Sequence, residues 1–220
     1  MRIIAGEAKN TRLRCPEGDE VRPLLSAVRE ALFNIYRQAT PGAEVLDLYA
    51  GCGAIGLEAL SRGAAWCVFV ERSAKARAAL EANLDQARLA GRGDVLPGDA
   101  CACLPRLKRL GRAFKLVFVD PPYPLWASAP ERSRIVEFLD SLADAGLLAP
   151  RPWITVHHVP GSPAPSATRN FVLDEQRQYG RSLISIYAPK KADSPAPSES
   201  TGQPQREGRT QDGQGAGYQV

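Results

Sequence analysis

Short apolar runs and helical spacings alternate along this chain. Val45 to Tyr49, the stretch WCVFVE ending at Glu71, and KLVFVD ending at Asp120 are mostly apolar runs, which suits strands covered on both faces. Between them the rhythm changes. Ala54 to Arg62 reads as a helix that stops at Gly63, and Ser73 caps a longer helix reaching about Leu89. A short strand near Val95, a helix from Cys101 to Leu110, a helix from Ser133 to Ala145 and a strand from Trp153 to His157 follow. FVLDEQ and SLISIY read as a closing hairpin. Ahead of this series, MRIIAGEAKNTRLRCP reads as strand, turn at Gly6 to Asn10, and strand. In LLSAVREALFNIYRQA, Leu25, Val28, Leu32 and Ile35 recur at helical spacing, with Ser26 as a candidate N-cap and Pro41-Gly42 as the stop. Such alternation predicts an α/β fold: a mostly parallel sheet wrapped by helices, with the last hairpin adding an antiparallel strand at or within it.

From Ala192 the text turns to Pro, Ser, Gly and Gln, which cannot bury enough surface to offset ordering entropy. The expected organisation is a hairpin-and-helix extension over 1–40, a main domain over 41–190 and a disordered tail over 191–220. The folded part is long enough to bury a core without disulfides or metals. Five cysteines without framework spacing point to reduced thiols, and His157-His158 lacks the partner spacing of a metal site. The start has no apolar signal region, and no apolar run approaches the ~20 residues that span a bilayer. A cytoplasmic, metal-free monomer away from membranes is the expectation. A net charge of +4 permits an anionic partner without demanding one.

Candidate chemistry begins in VLDLYAGCGAIGLEAL. Gly51-Cys52-Gly53-Ala54-Ile55-Gly56 fits the dinucleotide pattern G-x-G-x-x-G, after a strand and before a helix. Glu71 ends the next strand, where a carboxylate can accept from both hydroxyls of a ribose. NAD and S-adenosylmethionine both carry an adenosine, so this part leaves both open. Asp47 lies in the strand, and Leu48-Tyr49-Ala50 intervene before the first glycine. That is unlike a loop built to meet a pyrophosphate. An acidic strand end suits the ammonium and sulfonium of S-adenosylmethionine better.

FVDPPYPLW is the sharper motif. Asp120 precedes Pro121 and is biased away from the helical region. Pro121 and Pro122 fix φ twice and remove two donors. The turn that remains offers two rigid acceptors, the Asp120 carboxylate and the Pro121 carbonyl. They can take both hydrogens of an exocyclic base amine, and Tyr123 supplies a ring for a flipped base.

These residues resemble the amino-directed, S-adenosylmethionine-dependent methyltransferases. The start MRIIAG, then RP and VREALFN, then LDLYAGCGAIGLEALSRGA and DPPY are similar to the RsmD family over about residues 1 to 190. The resemblance implies a class I methyltransferase fold: a Rossmann-like, mostly parallel seven-stranded sheet with a terminal antiparallel hairpin and a small N-terminal extension. It implies methylation of the N2 amine of a guanine in bacterial 16S ribosomal RNA. It implies a cofactor site at Asp47, Gly51, Gly53 and Glu71, with Asp99 meeting the adenine, and a catalytic turn at Asp120, Pro121, Pro122 and Tyr123. Two departures stand out. Leu24-Leu25-Ser26-Ala27 replaces the family's Thr, Asp and Arg near the site entrance, and His157 stands where the fifth strand usually ends in Glu.

The substrate is then 16S RNA or a small-subunit particle. Arg2, Lys9, Arg12, Arg14 and Arg22 are candidates to meet its backbone. RLKRLGRAFK, Arg106 to Lys115, is a second basic stretch that reads equally as a solvated face. An adenine N6 amine or a glutamine amide remains an alternative acceptor. An NAD-dependent oxidoreductase and a non-catalytic RNA-binding assembly protein remain alternatives of other classes.

Overall fold

The computed structural model describes residues 1–16 and 26–190. The expectations for Arg22, for Leu24 and Leu25, and for the tail at 191–220 lie outside the described residues.

Among the described residues seven strands form one sheet in the order β3-β2-β1-β4-β5-β7-β6. The strands are β1 (Glu44–Leu48), β2 (Trp66–Glu71), β3 (Gly93–Pro97), β4 (Phe114–Val119), β5 (Leu148–His158), β6 (Phe171–Tyr179) and β7 (Ser182–Pro189). The first five run parallel, and β7 inserts antiparallel between β5 and β6. Among the described residues six α-helices accompany them: α1 (Ser26–Ile35), α2 (Ala54–Ser61), α3 (Ala74–Gln86), α4 (Leu104–Leu110), α5 (Tyr123–Ala127) and α6 (Ala129–Asp144). This is the class I methyltransferase architecture. Among the described residues no helix is long and apolar enough to cross a membrane.

Alternation along the strands divides the core between the two faces. Phe69 and Phe118 point to the face covered by α1, α2 and α3, where Phe33, Tyr36, Leu57 and Leu80 pack. Val68, Val70, Val117 and Val119 point to the other face, against Trp126, Phe138 and Leu142. The apolar runs of β2 and β4 are continuous because both faces are buried, and in β1 the run is broken by Asp47.

The strand order reverses between β1 and β4, so the loops leaving them part and open a crevice. Register sets Leu48 beside both Val70 and Val119. Glu71 and Asp120 therefore emerge at one end of the sheet, flanking Tyr49.

At the N-terminus, Arg2 and Arg12 form an antiparallel bridge, and Ile3 and Leu13 join the core on the α1–α3 side. Buried polar groups dock this hairpin. Glu58 of α2 accepts from Ile4 N–H at 2.8 Å and Ala5 N–H at 3.1 Å. Arg29 of α1 is fully buried, donates to the Arg2 carbonyl and sits 3.5 Å from Glu58.

Several boundaries depart from the sequence reading. Within the described residues α1 covers Ser26–Ile35, with Val28, Arg29, Leu32 and Phe33 buried. The helix capped by Ser73 stops at Gln86 rather than Leu89. Helix α5 was not expected; it starts right after Pro122, with Pro124 in its first turn, where a missing N–H costs nothing. Strand β5 starts at Leu148, with the strand pairing irregular between Phe114 and Leu116 and Arg151 at φ 51°.

Candidate active site

A cavity of about 290 Å³ opens at the carboxyl ends of β1, β2 and β4. Asp47, Gly51, Glu71, Asp99, Asp120 and Pro122 all line it, as do Cys15 and Pro16 from the N-terminal segment. Gly53, Pro121 and Tyr123 do not reach its wall. Gly53 precedes α2 at φ 85°, and a Cβ there would lie 2.1 Å from Leu80 Cδ1. Gly56 lets α2 approach β2, because a Cβ there would lie 2.2 Å from the Phe69 ring. Tyr49 also lines the wall and holds φ 62°, a costly conformation for an aromatic residue and one the sequence did not signal.

The carboxylates differ in how much of their acceptor capacity is committed. Glu71 Oε2 accepts from Gly51 N–H and Oε1 from Ser73 N–H, each at 2.8 Å. Each oxygen keeps a lone pair for a ribose hydroxyl. Asp47 Oδ2 accepts from Gly56 N–H at 2.9 Å, while Oδ1 is buried and has no partner among the described residues. Burial pushes the Asp47 carboxyl up to about 8, and Gly56 N–H only partly opposes this. Asp120 and Glu71 add to the rise through their negative charge. An orphaned, buried acceptor in a pocket wall suits an ammonium group. Asp99 accepts from Cys101 N–H and from Arg134, both at 2.8 Å. Arg134 comes from α6 and was not foreseen, so an adenine amine meeting Asp99 shares it with a guanidinium.

At the end of β4, Asp120 Oδ1 lies 2.6 Å from His157 Nδ1. Among the described residues, neither Asp120 Oδ2 nor the Pro121 carbonyl receives a hydrogen bond. The Pro122 carbonyl, by contrast, accepts from Leu125 and Trp126. Tyr123 packs edge-on to His157, with ring centroids 6.0 Å apart. A rigid turn thus carries two unengaged acceptors beside a pocket whose acidic groups fit the amino-acid and ribose parts of S-adenosylmethionine.

The thiols differ from expectation. Cys15 and Cys52 form a disulfide with Cα atoms 5.4 Å apart, while Cys67, Cys101 and Cys103 are free. The hairpin brings Cys15 back over the glycine loop, a proximity hidden by 37 residues of separation. Asn83 of α3 links the same two segments. Its Oδ1 accepts from Arg14 N–H, and its Nδ2 donates to the carbonyls of Arg14 and Cys52. Nothing in the sequence marked this buried amide.

The candidate RNA contacts divide. Arg2, Lys9, Arg12 and Arg14 are exposed, and none has an ion pair among the described residues. In the second basic stretch, Arg106 donates to the Pro97 carbonyl, Arg112 stacks on Trp66 and pairs with Glu44, and Lys115 donates to the carbonyls of Pro150 and Arg151. Those three cations serve the fold, and among the described residues Lys108 and Arg109 make no such contact.

Known proteins are similar to this chain over most of its length. A family model described as conserved hypothetical protein 95 matches residues 1–188. Ribosomal RNA small subunit methyltransferase D of Escherichia coli strain K12 is 32% identical over 187 residues, covering 85% of this chain and 89% of that protein. YlbH of Bacillus subtilis strain 168 is 30% identical over 187 residues, covering 85% and 98%. The solved structure of yhhF from Escherichia coli is 31% identical, covers 86% of this chain and 98% of that one, and superposes with a TM-score of 0.72. With the family model spanning residues 1–188 and relatives of 30% identity or more over most of their length, the chain belongs to the RsmD family of methyltransferases.

Proposed function

We propose that this protein methylates the exocyclic N2 amine of a guanine in bacterial small-subunit ribosomal RNA, with S-adenosylmethionine as methyl donor. Ribosomal RNA as substrate is supported by the relatives named for it. The observation that carries the chemistry is the pair of free acceptors, Asp120 Oδ2 and the Pro121 carbonyl, on a turn stiffened by two prolines.

When bound, S-adenosylmethionine supplies a methyl group activated by its sulfonium. Asp47 would hold its ammonium, Glu71 its ribose and Asp99 its adenine. The Asp120 and Pro121 acceptors take both hydrogens of the amine and aim the nitrogen lone pair. The amine of guanine is a poor nucleophile because that lone pair is delocalised into the ring, so fixed orientation supplies much of the rate. The Tyr123 ring offers a stacking face for the flipped base, a contact worth about 1–3 kcal/mol.

The hairpin suits the RNA backbone. Arg2 and Arg12 lie directly opposite across an antiparallel bridge, where like charges repel unless an anion sits between them. This basic surface leads through Arg14 to Cys15 and Pro16 at the pocket wall. Such a substrate places the protein in the bacterial cytoplasm.

The test is methyl transfer from labelled S-adenosylmethionine to unmodified small-subunit particles and to free 16S RNA, followed by nucleoside analysis. N2-methylguanosine is the expected product. Label in N6-methyladenosine or in glutamine would move the activity to another acceptor.

A further inference from the structure

Asp120 and His157 are separated by 37 residues in sequence and joined by a 2.6 Å contact in the fold. The register that sets Val119 of β4 beside Val156 of β5 brings the two side chains together. His157 is buried.

An ionised carboxylate only accepts hydrogen bonds, so the network assigns a proton to His157 Nδ1. Nε2 is buried and has no partner among the described residues. A small cavity behind the turn is lined by Asp120, His157 and Thr155 amid Leu32, Ile55 and Ile184. The Thr155 hydroxyl is already paired with Tyr36, and Tyr123 meets the imidazole through its ring. Asp120 is therefore the one polar anchor of this ring among the described residues.

The bond acts on Asp120 in turn. The terminal torsion of an aspartate is broad and roughly two-fold, so an untethered carboxylate at this turn would sample several orientations. Holding Oδ1 removes that freedom and leaves Oδ2 unengaged, on a residue that lines the pocket.

We infer that His157 is a positioning residue for methyl transfer: its Nδ1–H holds Asp120 Oδ1 and so fixes Oδ2 as the acceptor facing the substrate amine. The inference rests on Asp120 being the amine acceptor proposed above.

Two measurements test it. The first is the imidazole ¹⁵N spectrum of the wild-type protein, which holds only two histidines. The His157 signals, assigned by their change in Asp120→Ala, should show the proton on Nδ1. A proton on Nε2 alone overturns the inference.

The second is turnover on unmodified small-subunit RNA. His157→Leu removes the donor, and its kcat should fall by roughly 10- to 100-fold, the scale of an ångström's misplacement of a reacting group. KM for RNA and Kd for S-adenosylmethionine should stay within about two-fold, since the residue acts on orientation and not on binding. His157→Asn returns an amide N–H near Nδ1 and should recover most of the rate. Wild-type kcat in His157→Leu, or His157→Asn no better than His157→Leu, contradicts the inference. Should His157→Leu fail to bind S-adenosylmethionine, the wild-type spectrum decides. Asp120→Ala separates the two levels. If it stays active, the reading of Asp120 fails. If it is inactive while His157→Leu turns over normally, only the role of His157 fails.

Discussion

The Gly51 N–H donates to Glu71 Oε2 at 2.8 Å, so the carboxylate at the end of β2 shapes the glycine loop at the end of β1. Ser73 N–H holds the other oxygen. A ribose would meet a carboxylate already oriented by the backbone. Glu71→Ala should weaken S-adenosylmethionine binding by about 1.5–3 kcal/mol, the range for hydrogen bonds to a charged group. Calorimetry measures it, and an unchanged Kd would take Glu71 out of the cofactor site.

Asp47 gives a pH dependence of defined sign. Its folded carboxyl is raised to about 8, while the unfolded group ionises near 4. Between those values the native state holds a proton that the unfolded chain has lost, so this group's stability contribution falls as pH rises. Asp47→Asn does not titrate and lacks that slope. From pH 5 to pH 8 the ligand-free wild type should lose about 2–4 kcal/mol relative to Asp47→Asn, at no more than about 1.4 kcal/mol per pH unit. S-adenosylmethionine, bringing an ammonium, should flatten the slope. Parallel denaturation curves for the two proteins across this range would refute the assignment.

Asn83 ties the hairpin to the glycine loop through three hydrogen bonds from one buried amide. Asn83→Ala leaves those backbone groups without partners and should cost about 2–4 kcal/mol. The disulfide joins the same segments, and closing its 37-residue loop restricts the unfolded chain by up to about 4 kcal/mol. Denaturation measures that cost, and calorimetry with and without reductant should show the larger Asn83→Ala effect on cofactor affinity in the reduced protein. Equal affinity of wild type and Asn83→Ala under reduction would show that the link does not support the site.

What the sequence made legible was what local physics decides. The runs WCVFVE and KLVFVD had to be buried strands, and the acidic ends of β1, β2 and β4 had to meet once those strands were parallel neighbours. Asp47, Gly51, Glu71, Asp99 and Asp120 line one cavity for that reason. Long-range pairing was not legible. Arg29, Glu58 and Asn83 look like solvated helix positions, yet each is buried because the hairpin presents backbone groups to it. The disulfide and the His157–Asp120 contact likewise depend on register and docking. Helix α5 stayed hidden because the prolines beside it read as a break, although a first helical turn accepts proline.

Arg12 and Arg14 are exposed on the hairpin just before the pocket wall. Replacing both with Ala should weaken RNA binding and reduce the slope of log affinity against log salt by up to about two. Cofactor affinity should not change. An unaltered salt slope would move the RNA surface elsewhere, with Lys108 and Arg109 the cations to examine next.

The central claim is tested most directly in the cell that makes this protein. Small-subunit RNA from a deletion strain is digested and its nucleosides are quantified by mass spectrometry, with complementation by wild type or Asp120→Ala. One N2-methylguanosine per small subunit should disappear, return with wild type, and stay absent with Asp120→Ala. Unchanged N2-methylguanosine in the deletion strain, or its restoration by Asp120→Ala, would contradict the account.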